Sequence, residues 1–368
     1  MNSKQAEAHI RWIRGARRLV HPRRYSKMHF NQGKRLLNTL SRRDFRAQLQ
    51  SDRLQFCTWL QEKSILTETM QAKHFQLAQG MESDWKQVSD QPLDVTQEAL
   101  ACYWWVQHWH RDDDHDALIT LWLATEGPAF TVEALVNAQK LSQEMYPNEE
   151  DRFTFYHEKI DVEIHLIRKA LAFASEEVYQ ATLATAERLW VTLEIPYWQA
   201  VFAYLFPAHS DWAEVVATQV LQQAQVLPQV YKYLLASGLS LGSLQQVIQK
   251  HKTIEPEQVG FLASAVEMHG AALWSTILDL TIQMGEWSAA SKPILMILAV
   301  FKHPAVAHYF AVQLDAQDEY IKVHENYLER HSDIGIPALE KLTQEKPEKE
   351  IPYAYEWLDE LNKPPLSN

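Results

Sequence analysis

The stretch Phe153-Thr-Phe-Tyr156-His-Glu-Lys-Ile160-Asp-Val-Glu-Ile164-His-Leu-Ile167-Arg-Lys-Ala-Leu171 decides the fold class. Its apolar residues at 153, 156, 160, 164, 167 and 171 are spaced by three or four, so all of them fall on one face of an α-helix. Downstream, Ser175-Glu-Glu reads as the start of the next helix, with a hydroxyl to cap it and acids to complement its positive end. Further helices are predicted between Pro196 and Pro207, and over Ser210 to Gln225, Pro228 to Ser237, Ser243 to Lys250, Pro256 to His269 and Leu273 to Met284. The series continues through Pro293 to Lys302, Pro304 to Leu314, Tyr320 to Arg330, Ile336 to Gln344 and Tyr353 to Leu361. A short helix about every 20 residues makes a helical pair about every 40, the size of a HEAT-like or armadillo-like repeat. No single consensus fits every pair, so the expected architecture is all-α, an irregular HEAT/armadillo-like α-solenoid.

Upstream of that stretch, a helix over Val132 to Met145 ends at Pro147-Asn148, where the main organisational boundary is expected. The expected division is residues 1–50 as a basic N-terminal helical arm, 51–147 as a helical domain and 148–368 as a HEAT-like repeat domain. Composition agrees with helices. Glycine contributes 10 of 368 residues and no series of short strands is visible, which argues against sandwiches, barrels and most doubly wound sheets. With 46% apolar and 22% charged residues, the chain is not of disordered composition. Cys57 and Cys102 make no disulfide framework and no Cys/His ligand pattern, so a reducing cytoplasm is the expected location. The most apolar run, Pro293 to Phe301, falls far short of the ~20 residues of a membrane-crossing helix.

Charge divides the chain. Residues 1–50 hold 13 Lys/Arg and 2 Asp/Glu, leaving 22 bases and 45 acids for the remainder. Residues 3 to 20 read as an amphipathic basic helix, with Ile10, Ile13 and Val20 near one face. Such a segment neutralises phosphates, lies on an anionic surface, or docks on an acidic body. Arg11, Arg14, Arg18, Arg23 and Arg24 are the candidate nucleic-acid contacts, with Trp12 or Tyr25 for stacking. Against that use stands the acidic remainder, which repels a polyanion.

Three other constellations bear on chemistry. Gly238-Leu-Ser240-Leu-Gly242 matches the GxSxG nucleophile elbow, which needs a strand before it; here the flanks read as helices, so a helix-helix turn capped by Ser240 or Ser243 is expected. His108, His110, Asp112, Asp113, Asp114, His115 and Asp116 are the densest set of metal-ligand types, suited to zinc, manganese or iron, but acids at a helix start are ordinarily caps. His157, Asp161 and His165 share one helix face beside the apolar stripe, and a polar boundary is the expected role. No phosphate-binding or dinucleotide-binding glycine motif and no EF-hand loop occurs. No catalytic residue, metal site or cofactor is therefore assigned. Among 13 tryptophans, Trp104, Trp105 and Trp109 crowd one helix that cannot bury them all on one stripe, which makes them the candidate partner-binding residues.

Near the C-terminal end, His303-Pro-Ala-Val-Ala-His308 and Tyr327-Leu-Glu-Arg-His331-Ser-Asp-Ile-Gly-Ile-Pro337-Ala-Leu-Glu-Lys-Leu342 resemble helical-repeat segments of large bacterial WGR-domain proteins, the molybdate-regulator-like family. Ser332 stands where that family usually has proline. The resemblance is confined to the segment from His303 to Leu342 and implies a bacterial HEAT-like array without an assigned catalytic role. The function expected from the whole is a non-enzymatic protein–protein interaction scaffold with an acidic surface. Its form suits an inhibitor or immunity protein for a basic partner such as a toxin. The alternatives are a nucleic-acid-associated factor using the basic arm and a metal-dependent hydrolase built on residues 108–116.

Overall fold

A computed structural model describes residues 9–12, 16, 19–21, 119, 122–123, 126–145, 164–193, 196–223, 228–251, 254–284, 291–316 and 320–362. Helix dominates these residues, and the class is all-α. The helices with both ends described are α1 (Pro128–Met145), α2 (Glu176–Trp190), α3 (Pro196–Leu205), α4 (Ser210–Gln222), α5 (Pro228–Leu235), α6 (Leu241–His251) and α7 (Val259–His269). They are followed by α8 (Trp274–Met284), α9 (Ser291–Leu298), α10 (Pro304–Gln313), α11 (Ile321–Arg330), α12 (Ser332–Glu345) and α13 (Pro352–Asn362). Two strands of two residues, β1 (His9–Ile10) and β2 (Phe301–Lys302), form one antiparallel pair.

The helix ends follow their local chemistry. Ser175 caps α2 by accepting from Val178 N, with Glu176 and Glu177 in the first turn. His303 Nδ1 accepts from Ala305 N and Pro304 opens α10. The Asp315 carboxylate accepts from Tyr353 N and Ala354 N, capping α13 from a distant part of the chain. Lys250 Nζ donates to the Val220 and Leu221 carbonyls at 2.9 and 2.8 Å and so satisfies the last turn of α4.

The chain divides into two compact units, one of Met1–His21 with Ala213–Asn368, the other of Pro22–Trp212. In the second, Ile164, Ile167 and Leu171 of the helical run 164–173 are buried, as their spacing requires. Helix α1 packs on α2, and α3 hides Tyr197, Trp198, Val201, Phe202 and Tyr204. Gln139 of α1 is buried with neither amide atom hydrogen-bonded. Trp190 and Trp212 stack with ring centroids 4.7 Å apart.

In the first unit, α5 packs on α6 and α7, α8 on α9, and α12 on α10, α11 and α13. Pro256–Met284, which takes in α7 and α8, is long and apolar enough to cross a membrane by length and composition; 56% of its most apolar window is buried inside the protein. The path turns at Gly270, where φ is +64° and Ile10 of β1 lies 4.0 Å from where a Cβ would be.

The N-terminal segment departs from the expected uninterrupted helix. His9 and Ile10 are extended, paired with Lys302 and Phe301, and Arg11 N continues the pairing to the Val300 carbonyl at 2.9 Å. Val300 is fully buried, so its carbonyl needs a donor, and Arg11 N, in extended backbone just past β1, supplies one that a helix would spend internally. Helical backbone returns at Ala16 and Leu19. Ala16 and Val20 are buried, and His21 N donates to Ser264 Oγ at 2.7 Å with its ring edge-on to Phe261.

Two further boundaries differ from expectation. Helix α9 stops at Leu298 because the next residues leave to form β2. Helix α12 begins at Ser332 instead of Ile336 and carries Pro337 inside it. Pro337 is exposed, and the carbonyl its missing N–H leaves free, on Asp333, belongs to another exposed residue.

Two glycines give opposite expectations. A Cβ on Gly335 would lie 2.9 Å from the Leu328 carbonyl oxygen, whereas one on Gly242 meets nothing within 4 Å. Gly335→Ala should cost about 1–3 kcal/mol in denaturant unfolding by forcing α12 off α11. Gly242→Ala should stabilise by about 0.5–1 kcal/mol. Equal effects from the two would contradict the close approach at Gly335.

Candidate functional site

Trp104, Trp105, Trp109, Arg14, Arg18, Arg23, Arg24, Tyr25, His157, Asp161 and the whole 108–116 set lie outside the described residues. Arg11, Trp12, His165 and the 238–242 motif lie within them.

Arg11 leads to the most unusual electrostatic arrangement in the first unit. The β1–β2 register carries it just past the strand pair, opposite Val300, and its charge acts on Arg330 and His331 at the α11–α12 turn. Arg330, the last residue of α11, is half-buried; its guanidinium donates to the Ala299 carbonyl, and its Nε donates to His331 Nε2 at 3.2 Å. Lys302 Nζ makes an ion pair of 2.6 Å with Asp333 Oδ2. Arg11 is exposed and has no ion pair among the described residues, and Arg330 has no carboxylate partner there either. Three cations thus share one acid.

His331 registers this field. It is buried, and burial together with the charges of Arg330, Lys302 and Arg11 outweighs Asp333 and pushes its pKa down to about 4. The neutral ring fits the hydrogen bond, since Nε2 accepts from Arg330 and the proton sits on Nδ1. Tyr327, one turn earlier on α11, donates to the Phe301 carbonyl at 2.9 Å and stacks on Phe310, so the turn is held to β2 from two sides.

A second feature has the opposite sign. Between 340 and 360, Glu340, Glu345, Glu348, Glu350, Glu356, Asp359 and Glu360 are exposed, against Lys341, Lys346 and Lys349. Glu356, Asp359 and Glu360 share one face of α13. Tyr353, at the start of that helix, is pushed up to about 12 by its hydrogen bond to Glu325, by burial and by the charges of Glu325, Glu356 and Glu360.

The GxSxG stretch is a connection between two helices, α5 and α6. Ser240 Oγ accepts from Ser243 N at 3.3 Å, and Glu214 holds Ser240 N at 2.7 Å and the Ser243 hydroxyl. Ser240 is therefore a helix cap with its hydroxyl committed to Ser243. His165 Nδ1 lies 2.8 Å from the Tyr204 hydroxyl, and Arg168, buried beside it, covers the Tyr204 ring at 4.2 Å. That face joins two packed helices. Among the described residues no group of three or more His, Cys, Asp or Glu is placed to hold a metal.

Sequence reasoning singled out Arg11 but not Lys302, Arg330 or His331. Arg330-His331 stands inside the phrase that carries the C-terminal resemblance, which is the one available signal. Lys302 has none, because a strand pairing between opposite ends of the chain leaves no local pattern.

The described residues define an all-α protein with a cationic group, the seam, where the N-terminal segment pairs with β2 and its charge acts on the α11–α12 turn, and an acidic helix, α13. The family model described as YehI second domain matches residues 52–252, more than half of the 368, and the chain belongs to that family. No curated protein and no solved structure matches it. The seam and α13 both lie outside the matched residues.

The depressed pKa of His331 has a consequence for stability. The unfolded chain takes up the proton near pH 6.5 and the folded protein only near 4, so stability is fully present above 6.5 and falls as pH drops through that window. The slope contributed approaches one proton, up to about 1.4 kcal/mol per pH unit. Unfolding free energies of wild type and His331→Gln at pH 7.5, 6.5, 5.5 and 4.5 should converge towards acid pH. A constant gap across that range would contradict the assignment.

Proposed function

We propose that the protein is a non-enzymatic interaction protein, an irregular HEAT- or armadillo-like α-solenoid that offers an acidic surface to a basic protein partner. The observation that carries this reading is the acidic α13, whose exposed face bears Glu356, Asp359 and Glu360. Complementary potential of this kind speeds encounter with a basic surface and suppresses wrong partners. The pairing of short helices, the resemblance of residues 303–342 to bacterial helical-repeat segments, and a GxSxG stretch occupied with helix capping are consistent with it. A cytoplasmic inhibitor or immunity protein covering a basic toxin has this form.

One observation favours the second reading, a nucleic-acid-associated factor working through the basic N-terminal segment: in a chain whose net charge is −12, the Arg11 charge acts on Arg330 and, with Lys302, on His331.

The test is affinity capture from the native host with the full chain, followed by mass spectrometry, in parallel with E356K/D359K/E360K. A single basic protein retained by wild type should be lost by the variant, and its affinity for the purified wild type should fall about tenfold or more and weaken with salt. Equal retention by both chains would reject α13 as the contact. Retention of nucleic acid by both would move the function to the basic segment.

A further inference from the structure

The cationic seam is an arrangement that folding alone does not call for. A guanidinium taken partly out of water is costly unless a carboxylate faces it, yet Arg330 is half-buried against the Ala299 carbonyl and a neutral imidazole. Arg11 N donates to the Val300 carbonyl, one residue from the Ala299 carbonyl that Arg330 holds, and the Arg11 charge acts on both Arg330 and His331. Lys302 is anchored by Asp333, which leaves Lys302 fixed in place but the group as a whole with excess positive charge.

We propose that Arg11, Lys302 and Arg330 form a binding site for an oxyanion of the phosphate class. Guanidinium forks present paired N–H donors that match phosphate oxygens, and the ammonium supplies a third charge. The donors come from three separated parts of the chain, the residue after β1, β2 and the end of α11. They are brought together by backbone hydrogen bonds that exist without any ligand, so little ordering remains to be done on binding. The seam is independent of the acidic face: it stands or falls whether or not α13 recognises a protein. Phosphate of this kind is offered by a free small anion or by a nucleic-acid backbone. Residues 1–50 carry twelve bases besides Arg11 in sequence.

The test uses the full chain and two probes, inorganic phosphate and a single-stranded oligonucleotide, titrated calorimetrically at low and moderate salt. Three exposed-site variants accompany wild type: Arg11→Ala, Asp333→Asn and, as a control away from the seam, Arg188→Ala, whose partner is Glu133. Arg11→Ala should weaken binding at least fivefold, and Asp333→Asn, which removes the competing carboxylate, should tighten it about two- to fivefold. Arg188→Ala should leave it unchanged. Bound phosphate should also raise the pKa of His331 from about 4, read from its ring proton by NMR. Phosphate bound nearly as tightly as the oligonucleotide identifies a small anion; an oligonucleotide bound far more tightly, with a steep salt dependence, identifies a backbone. Binding of neither probe overturns the proposal. So does binding indifferent to both Arg11→Ala and Asp333→Asn.

Discussion

The pairing of His9–Ile10 with Phe301–Lys302 is the constraint on which the first unit depends. It joins opposite ends of the chain, and closing so long a loop costs entropy that two short strands do not repay through hydrogen bonds alone. The return comes from burial. Val300 and Phe301 are fully enclosed, Ala16 and Val20 are buried beyond the strand, and Ile10 reaches Gly270 where the α7–α8 path turns. Gly260 allows the same segment to come close: a Cβ there would lie 2.5 Å from His21 Nε2 and 3.1 Å from the Leu19 carbonyl. The N-terminal segment is therefore part of the core of a unit whose other residues begin at Ala213.

The same pairing organises the polar chemistry around β2. Tyr327 donates to the Phe301 carbonyl on one side while the strand partner serves the backbone on the other, and the aromatic stack through Phe310 holds the Tyr327 ring. That fixes the end of α11, and with it Arg330 and His331. A single long-range contact thus positions Arg11, Lys302 and Arg330 together, although the first stands near one end of the sequence and the other two near the opposite end.

Much of the helical architecture is legible in the sequence because its signals are local. The stripe ending at Ile164, Ile167 and Leu171, the Ser175 cap and the prolines that open α3, α10 and α13 each announce an element within one turn of themselves. The failures have a common physical source. Around His9–Ile10 the amphipathic pattern reads as helix, and the competing demand, the buried Val300 carbonyl, lies far along the chain. At α12 the proline at 337 suggests a helix start, but exposure of both Pro337 and Asp333 lets water replace the lost bond, so the helix begins a turn earlier. The seam is half visible for the same reason: the basic arm is a composition signal, whereas Lys302 and Arg330 acquire their meaning only from the fold.

An acidic protein that gathers three cations around one paired carboxylate among its described residues goes against its own average. Burial and the repulsion of Arg11 lower the pKa of Arg330, and the cost falls on the folded state, since the unfolded chain keeps these groups apart and in water. Replacing Arg330 by an uncharged residue would remove that cost but leave the buried Ala299 carbonyl without this donor. Local rules of folding are broken most often where a site has a second requirement to meet. At α13 the sign is reversed but the logic is the same, because Glu325, Glu356 and Glu360 stand close enough to hold the Tyr353 phenol protonated to about pH 12. Two concentrations of opposite charge thus stand on one unit, one around Lys302, Arg330 and His331 and one on α13, each held by hydrogen bonds and packing.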